Sequence, residues 1–409
     1  MERVRRAEKR GEASSEAGAN RPPGRGRIAS RAARIPPSGI RKFFDIIAEM
    51  EDVISLGVGE PDFVTPEPIR RAGAASLERG ETAYTSNSGM LALREAVADH
   101  LERLYGVRYD PEAEILITVG VSEALHLALL ATVEPGDEVI VPEPCFVSYK
   151  PGVVVAGGEP VIVETRMSDG FQVLPDAVED AVSPRTTGLL IGYPNNPTGA
   201  VMSRPLMEGL AKIVERHDLL VYSDEIYDRL VYGTEHICFA ALPGMRDRTV
   251  LLGGFSKSYA MTGWRIGYVA SEAEIIGAVR KVHQYAIMCA PTTAQVGALE
   301  ALRTGEPHLQ AMIEEYDRRR RVIIAGLGEL GLPCHEPGGA FYAFPSISAI
   351  DLSSEEFSER LLFEERVAVV PGNAFGDSGE GFLRIAYAAA LDQIEEALDR
   401  IEGFLKRNV

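Results

Sequence analysis

Short apolar runs alternate with longer amphipathic stretches over most of this chain. Glu114–Val119 (EILITV), Glu138–Val141, Pro160–Glu164, Thr187–Gly192, Leu219–Ser223 and Thr249–Leu252 are rich in Val, Ile and Leu. Such runs suit strands covered on both faces. Between them, Ser122–Thr132, Arg204–His217 and Glu272–Tyr285 carry helical patterns. The alternation predicts an α/β domain around a mainly parallel sheet. Past residue 300 come a long charged helix (His308–Leu330), shorter strands near Ala340–Phe344 and Phe382–Ala386, and a closing helix, Leu391–Lys406. That change predicts a second, smaller α+β domain. No internal repeat or long linker breaks the order.

The first 34 residues stand apart, with ten Lys/Arg, four Glu and almost no large apolar side chains. They cannot bury enough surface to offset the entropy of ordering, so a disordered basic tail is expected, with folded sequence from near Ile35. It has no apolar signal core; a dispensable extension is the plainer reading, a functional arm the other. The chain's net charge is −18, and the tail's +6 leaves −24 on the other 375 residues. So acidic a body disfavours nucleic acid as a partner. A length of 409 residues suits two or three domains. No run of about 18 uncharged apolar residues offers a membrane span. Cys145, Cys238, Cys289 and Cys334 are scattered and form no C-x-x-C, which suggests reduced thiols in a cytoplasmic enzyme.

Ligand chemistry on an open α/β sheet gathers at the carboxyl ends of its strands, and four of these ends carry unusual polar groups. EILITV runs into Gly120-Val121-Ser122-Glu123, where a helix start suits a phosphate. The next is Tyr193-Pro194-Asn195-Asn196-Pro197-Thr198-Gly199, a rigid turn that would fix its Asn side chains. LLVYS precedes Asp224-Glu225-Ile226-Tyr227, whose carboxylates could cap a helix, bind a metal or pair with a cation. TVLLGGF precedes Ser256-Lys257-Ser258-Tyr259, and a desolvated lysine there would be nucleophilic. Singly, each has a plain reading as a turn, a helix cap or a solvated loop lysine. Together they meet the needs of pyridoxal 5′-phosphate (PLP). Its aldehyde takes an amine, its pyridine nitrogen a carboxylate, its 3′-oxygen donors, and its phosphate N–H groups plus a cation.

From about Ser38 to the C-terminus the sequence resembles the fold type I PLP-dependent aminotransferases of class I/II. The resemblance rests on GVGEPDF (57–63), YTSNSG (84–89), NNPTG (195–199), SDEIY (223–227), SKSYAMTGWRIGY (256–268) and LRIAYA (383–388), in family order. It implies a large PLP-binding domain at 76–299 and a small domain formed by 300–409 with the 35–75 segment. It implies that Lys257 forms the Schiff base and shuttles the proton, that Asp224 pairs with the pyridinium nitrogen, and that Tyr227 and Asn196 donate to the 3′-oxygen. Arg265, Ser256 and the Gly120-Val121-Ser122 backbone would hold the phosphate, with Phe146 on the cofactor face. Arg384 would grip the substrate α-carboxylate through its planar fork, beside Asn196 and the Gly59 N–H. Tyr84 would reach the phosphate of the partner subunit, which implies a homodimer with shared active sites.

Two positions depart from the family pattern. Gly254 stands where many relatives have serine, which removes one phosphate contact. Ser122 stands where relatives that read acidic side chains often have lysine, which argues against strict aspartate specificity. The 38–63 stretch most resembles aromatic or broad-specificity enzymes. The implied reaction is ping-pong exchange of an amino group between an L-amino acid and a 2-oxo acid such as 2-oxoglutarate, through pyridoxamine phosphate. Aspartate or alanine transamination, or a C–S lyase or decarboxylase on the same scaffold, are the alternatives. A PLP-sensing regulator is a remoter one, since residues 1–34 are too short and polar for a DNA-binding module.

Three features suggest less. Gly326–Gly331 matches G-x-G-x-x-G, yet follows a charged helix rather than a strand, and reads as a helix end. No histidine pair has metal-ligand spacing, so no metal site is expected, and His126 reads as packing on its helix. Arg318–Arg321 reads as a solvated helix face.

Overall fold

The computed structural model describes residues 27–36 and 50–408. In the first segment Ser30–Ala33 form a helical turn with no buried side chain. The end of the expected structureless tail is therefore helical, while its residues 1–26 lie outside the described residues, as do 37–49.

The expected alternation builds a seven-stranded sheet from β1 (Ile115–Thr118), β2 (Glu138–Glu143), β3 (Glu159–Glu164), β4 (Thr186–Gly192), β5 (Leu220–Asp224), β6 (Thr249–Gly254) and β7 (Gly267–Ala270). The order across it is β1-β7-β6-β5-β4-β2-β3. Strands β2 to β6 run parallel, and β7 is antiparallel to both β1 and β6. The sheet is thus mainly parallel, as expected, but β7 was not foreseen.

The central strands are largely apolar because both faces are covered, whereas the edge strand β3 is partly exposed. Val139, Val141, Leu190, Tyr222, Val250 and Leu252 pack with Leu125, Leu129, Ile276 and Val279 from the helices α1 (Gly120–Thr132) and Ala273–Ala286. The intervening Ile140, Leu189, Ile191 and Val221 pack with Leu210 and Val214 of the helix Arg204–His217. Successive residues of one strand therefore enter different cores, the period of two expected of extended backbone.

Towards the C-terminus lie the helix Glu306–Glu329, a three-stranded antiparallel sheet of β8 (Tyr342–Ala343), β9 (Val370–Pro371) and β10 (Leu383–Ala386), and the helix Leu391–Asn408. The strand expected over 340–344 is only two residues long. Ile54–Ser55 pair in parallel with Val367–Ala368, which ties the start of the main body to its end.

Gly326–Gly331 is a helix end, as expected: the helix Glu306–Glu329 closes within it and Gly331 follows at φ +71°. Two expectations need correction. His126 is exposed rather than packed. The Arg318–Arg321 run is not a solvated face, because Arg319 is buried and bound to both oxygens of Asp62 at 2.9 Å and to Glu315 at 2.8 Å. No helix among the described residues is long and apolar enough to cross a membrane.

Candidate active site

The polar groups singled out in the sequence converge where β4, β5 and β6 end. Asp224 is the last residue of β5 and is buried. Its partners are both neutral: the Tyr149 hydroxyl donates to Oδ2 at 2.8 Å and the Ile226 N–H to Oδ1 at 3.2 Å. Burial therefore pushes the carboxyl up to about 6. A cationic ring nitrogen is the partner such a carboxylate lacks.

Lys257 follows β6 by three residues, and its amine donates to the Gly59 carbonyl at 2.6 Å. It lies 5.8 Å from the Tyr227 ring centre and 5.7 Å from that of Phe341. Desolvation outweighs the pull of Glu60 and brings the amine down to about 8. A large share is then neutral, and nucleophilic, near pH 8.

Tyr227 is buried with its hydroxyl 2.6 Å from that of Tyr342. Arg384, on β10, is also buried; Nη1 donates to Asn196 Oδ1 at 3.0 Å and Nη2 to the Gly57 carbonyl at 2.6 Å. The guanidinium carbon lies 4.7 Å from both the Tyr342 and Phe375 ring centres. Its Nε is buried and has no partner, an orphan donor that suits a carboxylate. A Cβ on Gly59 would stand 2.6 Å from the Tyr342 hydroxyl and 3.6 Å from Arg384 Nη1, so glycine keeps this space open.

The phosphate-suited turn is also formed. Gly120 has φ +74°, a conformation natural to glycine, and a Cβ there would meet Arg265 Nη2 at 2.9 Å. Arg265 is exposed and donates to the Thr262 carbonyl at 2.9 Å. Val121 and Ser122 follow in the first turn of α1. Glu123 folds back to accept the Val119 N–H at 2.5 Å, as a capping carboxylate does. Gly254 has a steric reason, since a Cβ would come within 3.0 Å of Ile226 and 3.1 Å of Val121.

Ser256 is buried, and Phe146 is half-buried with its ring edge-on to Tyr149 at 5.7 Å. Tyr84 is 81% exposed and is not brought to the other groups within this chain. Sequence reasoning missed Tyr149, Tyr342 and Phe375. The aromatic pair in GGAFYAFP (338–345) was the one available signal for Tyr342. Among the described residues no group of three or more His, Cys, Asp or Glu could hold a metal ion.

A doubly covered α/β sheet with an amine, an unpaired buried carboxylate and an anion-suited turn at its strand ends defines a PLP-dependent enzyme of fold type I. The comparisons carry the assignment further. The model of the family described as aminotransferase class I and II matches residues 51–401, and the chain belongs to that family. It is 50% identical over 380 residues to the putative aminotransferase YugH of Bacillus subtilis, covering 93% of this chain and 98% of that protein. It is 44% identical over 382 residues to an aspartate aminotransferase of Pyrococcus abyssi, with the same coverage. Among solved structures, the aromatic aminotransferase of Pyrococcus horikoshii superposes with a TM-score of 0.86 at 44% identity, over 90% of this chain and 99% of that one. The chain is an aminotransferase and uses PLP.

Proposed function

We propose that this aminotransferase moves the amino group of an aromatic or other L-amino acid to a 2-oxo acid such as 2-oxoglutarate. Lys257, Asp224, Tyr227, Asn196, Ser256 and Arg265 hold the cofactor with the 120–122 backbone, beside Phe146. Bound there, PLP supplies an aldehyde that captures an amine and a ring that draws electrons from the α-carbon of the captured amino acid. Arg384 binds the α-carboxylate and so orients Cα towards Lys257. The Lys257 amine would take the proton from Cα and carry it for return. Asp224 keeps the proton on the ring nitrogen, and Tyr227 and Asn196 donate to the 3′-oxygen. The Tyr342 and Phe375 rings keep water from the Arg384 fork, which strengthens its hold on the carboxylate.

The observation that carries this reading is Arg384, a buried cation whose guanidinium carbon lies 4.7 Å from two ring centres and whose Nε has no partner. An α-carboxylate is the ligand that such a fork fits. Ser122 in place of lysine supports a neutral or aromatic side chain. The similarity to an aspartate aminotransferase keeps aspartate as the second reading. The test is a titration of the PLP-loaded enzyme with single amino acids, following the absorbance of the bound cofactor as it passes from its aldehyde to its amine form. Aromatic donors converting the cofactor at lower concentration than aspartate support the proposal, and the reverse order rejects it.

The proposal includes a homodimer in which Tyr84 serves the partner subunit. Its support is the exposure of Tyr84, Tyr285 and Met288, at 81%, 88% and 45%, on two segments joined by the Asn87 amide on the Met288 carbonyl at 2.7 Å. Exposed aromatic side chains of this kind favour an interface. It also includes a division into a large PLP-binding part (76–299) and a small part (300–409 with 35–75), and a cytoplasmic setting, supported by four free cysteines.

A further inference from the structure

Asp224 closes β5, and its register partner on β4 is Gly192. A Cβ on Gly192 would fall on the Tyr149 hydroxyl. Glycine at that one position thus opens the path by which Tyr149, the first residue of the helix α2 (Tyr149–Ala156), reaches the neighbouring strand. The hydroxyl donates to Asp224 Oδ2 at 2.8 Å while the Ile226 N–H donates to Oδ1. Tyr149 and Asp224 are both buried, and Phe146 fixes the phenol ring from its edge. Each carboxylate oxygen then has one neutral donor and a lone pair to spare.

We infer that Tyr149 is a positioning residue whose hydroxyl holds the Asp224 carboxylate ionised and in one orientation for the cofactor's ring nitrogen, and that Gly192 is glycine to admit it. This rests on the reading of Asp224 proposed above. A donor to the charged form opposes the effect of burial on the carboxyl. The phenol remains a donor at every working pH, because burial and Asp224 push its own pKa far up. The other groups facing the pair are Glu225 and Lys257 around the carboxyl, and Cys145 and Tyr227 around the phenol. Removing the Tyr149 hydroxyl leaves all four in place, so their titrations are common to wild type and variant.

The test is the dissociation constant of PLP from the apoprotein, measured at pH 6.5 and pH 9 for wild type, Tyr149→Phe, Gly192→Ala and Asp224→Ala, with thermal melts as a check on folding. Without the hydroxyl the Asp224 pKa rises, so at pH 6.5 more of the variant carries a protonated, ineffective carboxyl, whereas at pH 9 both proteins are ionised. Tyr149→Phe should bind PLP about tenfold more weakly at pH 6.5, as expected for a lost hydrogen bond to a charged group, with a smaller gap at pH 9. Gly192→Ala should show the same pattern. Asp224→Ala should bind weakly at both. A Tyr149→Phe loss equal at the two pH values would mean a packing role only, and no loss at either would mean no role; both overturn the inference. Asp224→Ala with wild-type affinity would refute the reading of Asp224 and this inference with it.

Discussion

Replacing Arg384 with lysine keeps the charge and removes the fork. The arginine has Nη1 on Asn196 and Nη2 on Gly57, its Nε without a partner, and two ring centres at 4.7 Å from its guanidinium carbon. A lysine ammonium can keep one charged hydrogen bond to a substrate carboxylate but not two in a plane. The lost bond is worth about 1.5–3 kcal/mol, and weaker ring contacts add about 0.5–1 kcal/mol. The sum of about 2–4 kcal/mol corresponds to a fall of about 30- to 700-fold in kcat/KM for amino acids. The assay pairs that constant with the dissociation constant of 3-phenylpropionate, which has the ring and the carboxylate but no amine. Arg384→Lys should weaken the inhibitor by a similar factor while PLP affinity stays unchanged. A variant that keeps wild-type kcat/KM and inhibitor binding would refute the carboxylate assignment. One that loses PLP as readily as substrate would show that Arg384 serves the fold instead.

Lys257→Ala should abolish turnover, and borohydride should leave cofactor on the wild-type chain at residue 257 but none on the variant; peptide mapping by mass spectrometry decides this. Because burial lowers the Lys257 amine to about 8, half of it is neutral at that pH and nearly all about one unit above. Stopped-flow incorporation of PLP into the apoprotein should therefore quicken from pH 6.5 and level off near pH 9, about one unit above that value. A lysine at its ordinary pKa would keep gaining to about pH 10, which would refute the desolvation argument. Gly120→Ala places a side chain at φ +74° and 2.9 Å from the Arg265 guanidinium. It should cost about 1 kcal/mol of stability in a denaturant melt and weaken PLP binding, whereas unchanged PLP binding would detach that turn from the phosphate.

The buried strands were legible because coverage on both faces leaves an uninterrupted apolar run, and β2, β4, β5 and β6 lie within a residue or two of where their runs predict them. Strand β7 (GYVA) was not, since four residues with a glycine and a tyrosine carry neither an apolar run nor an alternation. The Arg318–Arg321 run misled for a geometric reason. Four consecutive residues at 100° each sweep most of a helix circumference, so at least one had to face inwards, and Arg319 does. The same geometry places His126 with Leu130, four residues on, on an outward stripe of α1. Lys257, Asp224 and Asn196 stand out in sequence because each lies at or just past the end of an apolar strand, whereas Arg265 stands out only within the SKSYAMTGWRIGY motif. Tyr149 and Tyr342 do not, because their partners lie 75 and 115 residues away and nothing local marks the contact.

The eight-residue step from Lys257 to Arg265 has a topological explanation. A segment leaving a parallel strand towards another parallel strand must cross the sheet and return at its opposite edge. Strand β7 is antiparallel to β6, so loop 255–266 leaves and re-enters at one edge, and its flanking residues, Gly254 and Gly267, are paired directly. The Lys257 amine and the Arg265 guanidinium are thereby held at the same edge of the sheet. Gly267 is also paired with Thr118 at the end of β1, and a Cβ on it would stand 2.9 Å from the Val121 nitrogen. The antiparallel strand thus joins the lysine loop on one side to the phosphate-suited turn on the other. Were β7 parallel to β6, the chain would have to cross from the end of β6 to the far edge of the sheet before β7 began. Its first residue would then lie away from Gly254, and Arg265, two residues before β7, could not face Gly120.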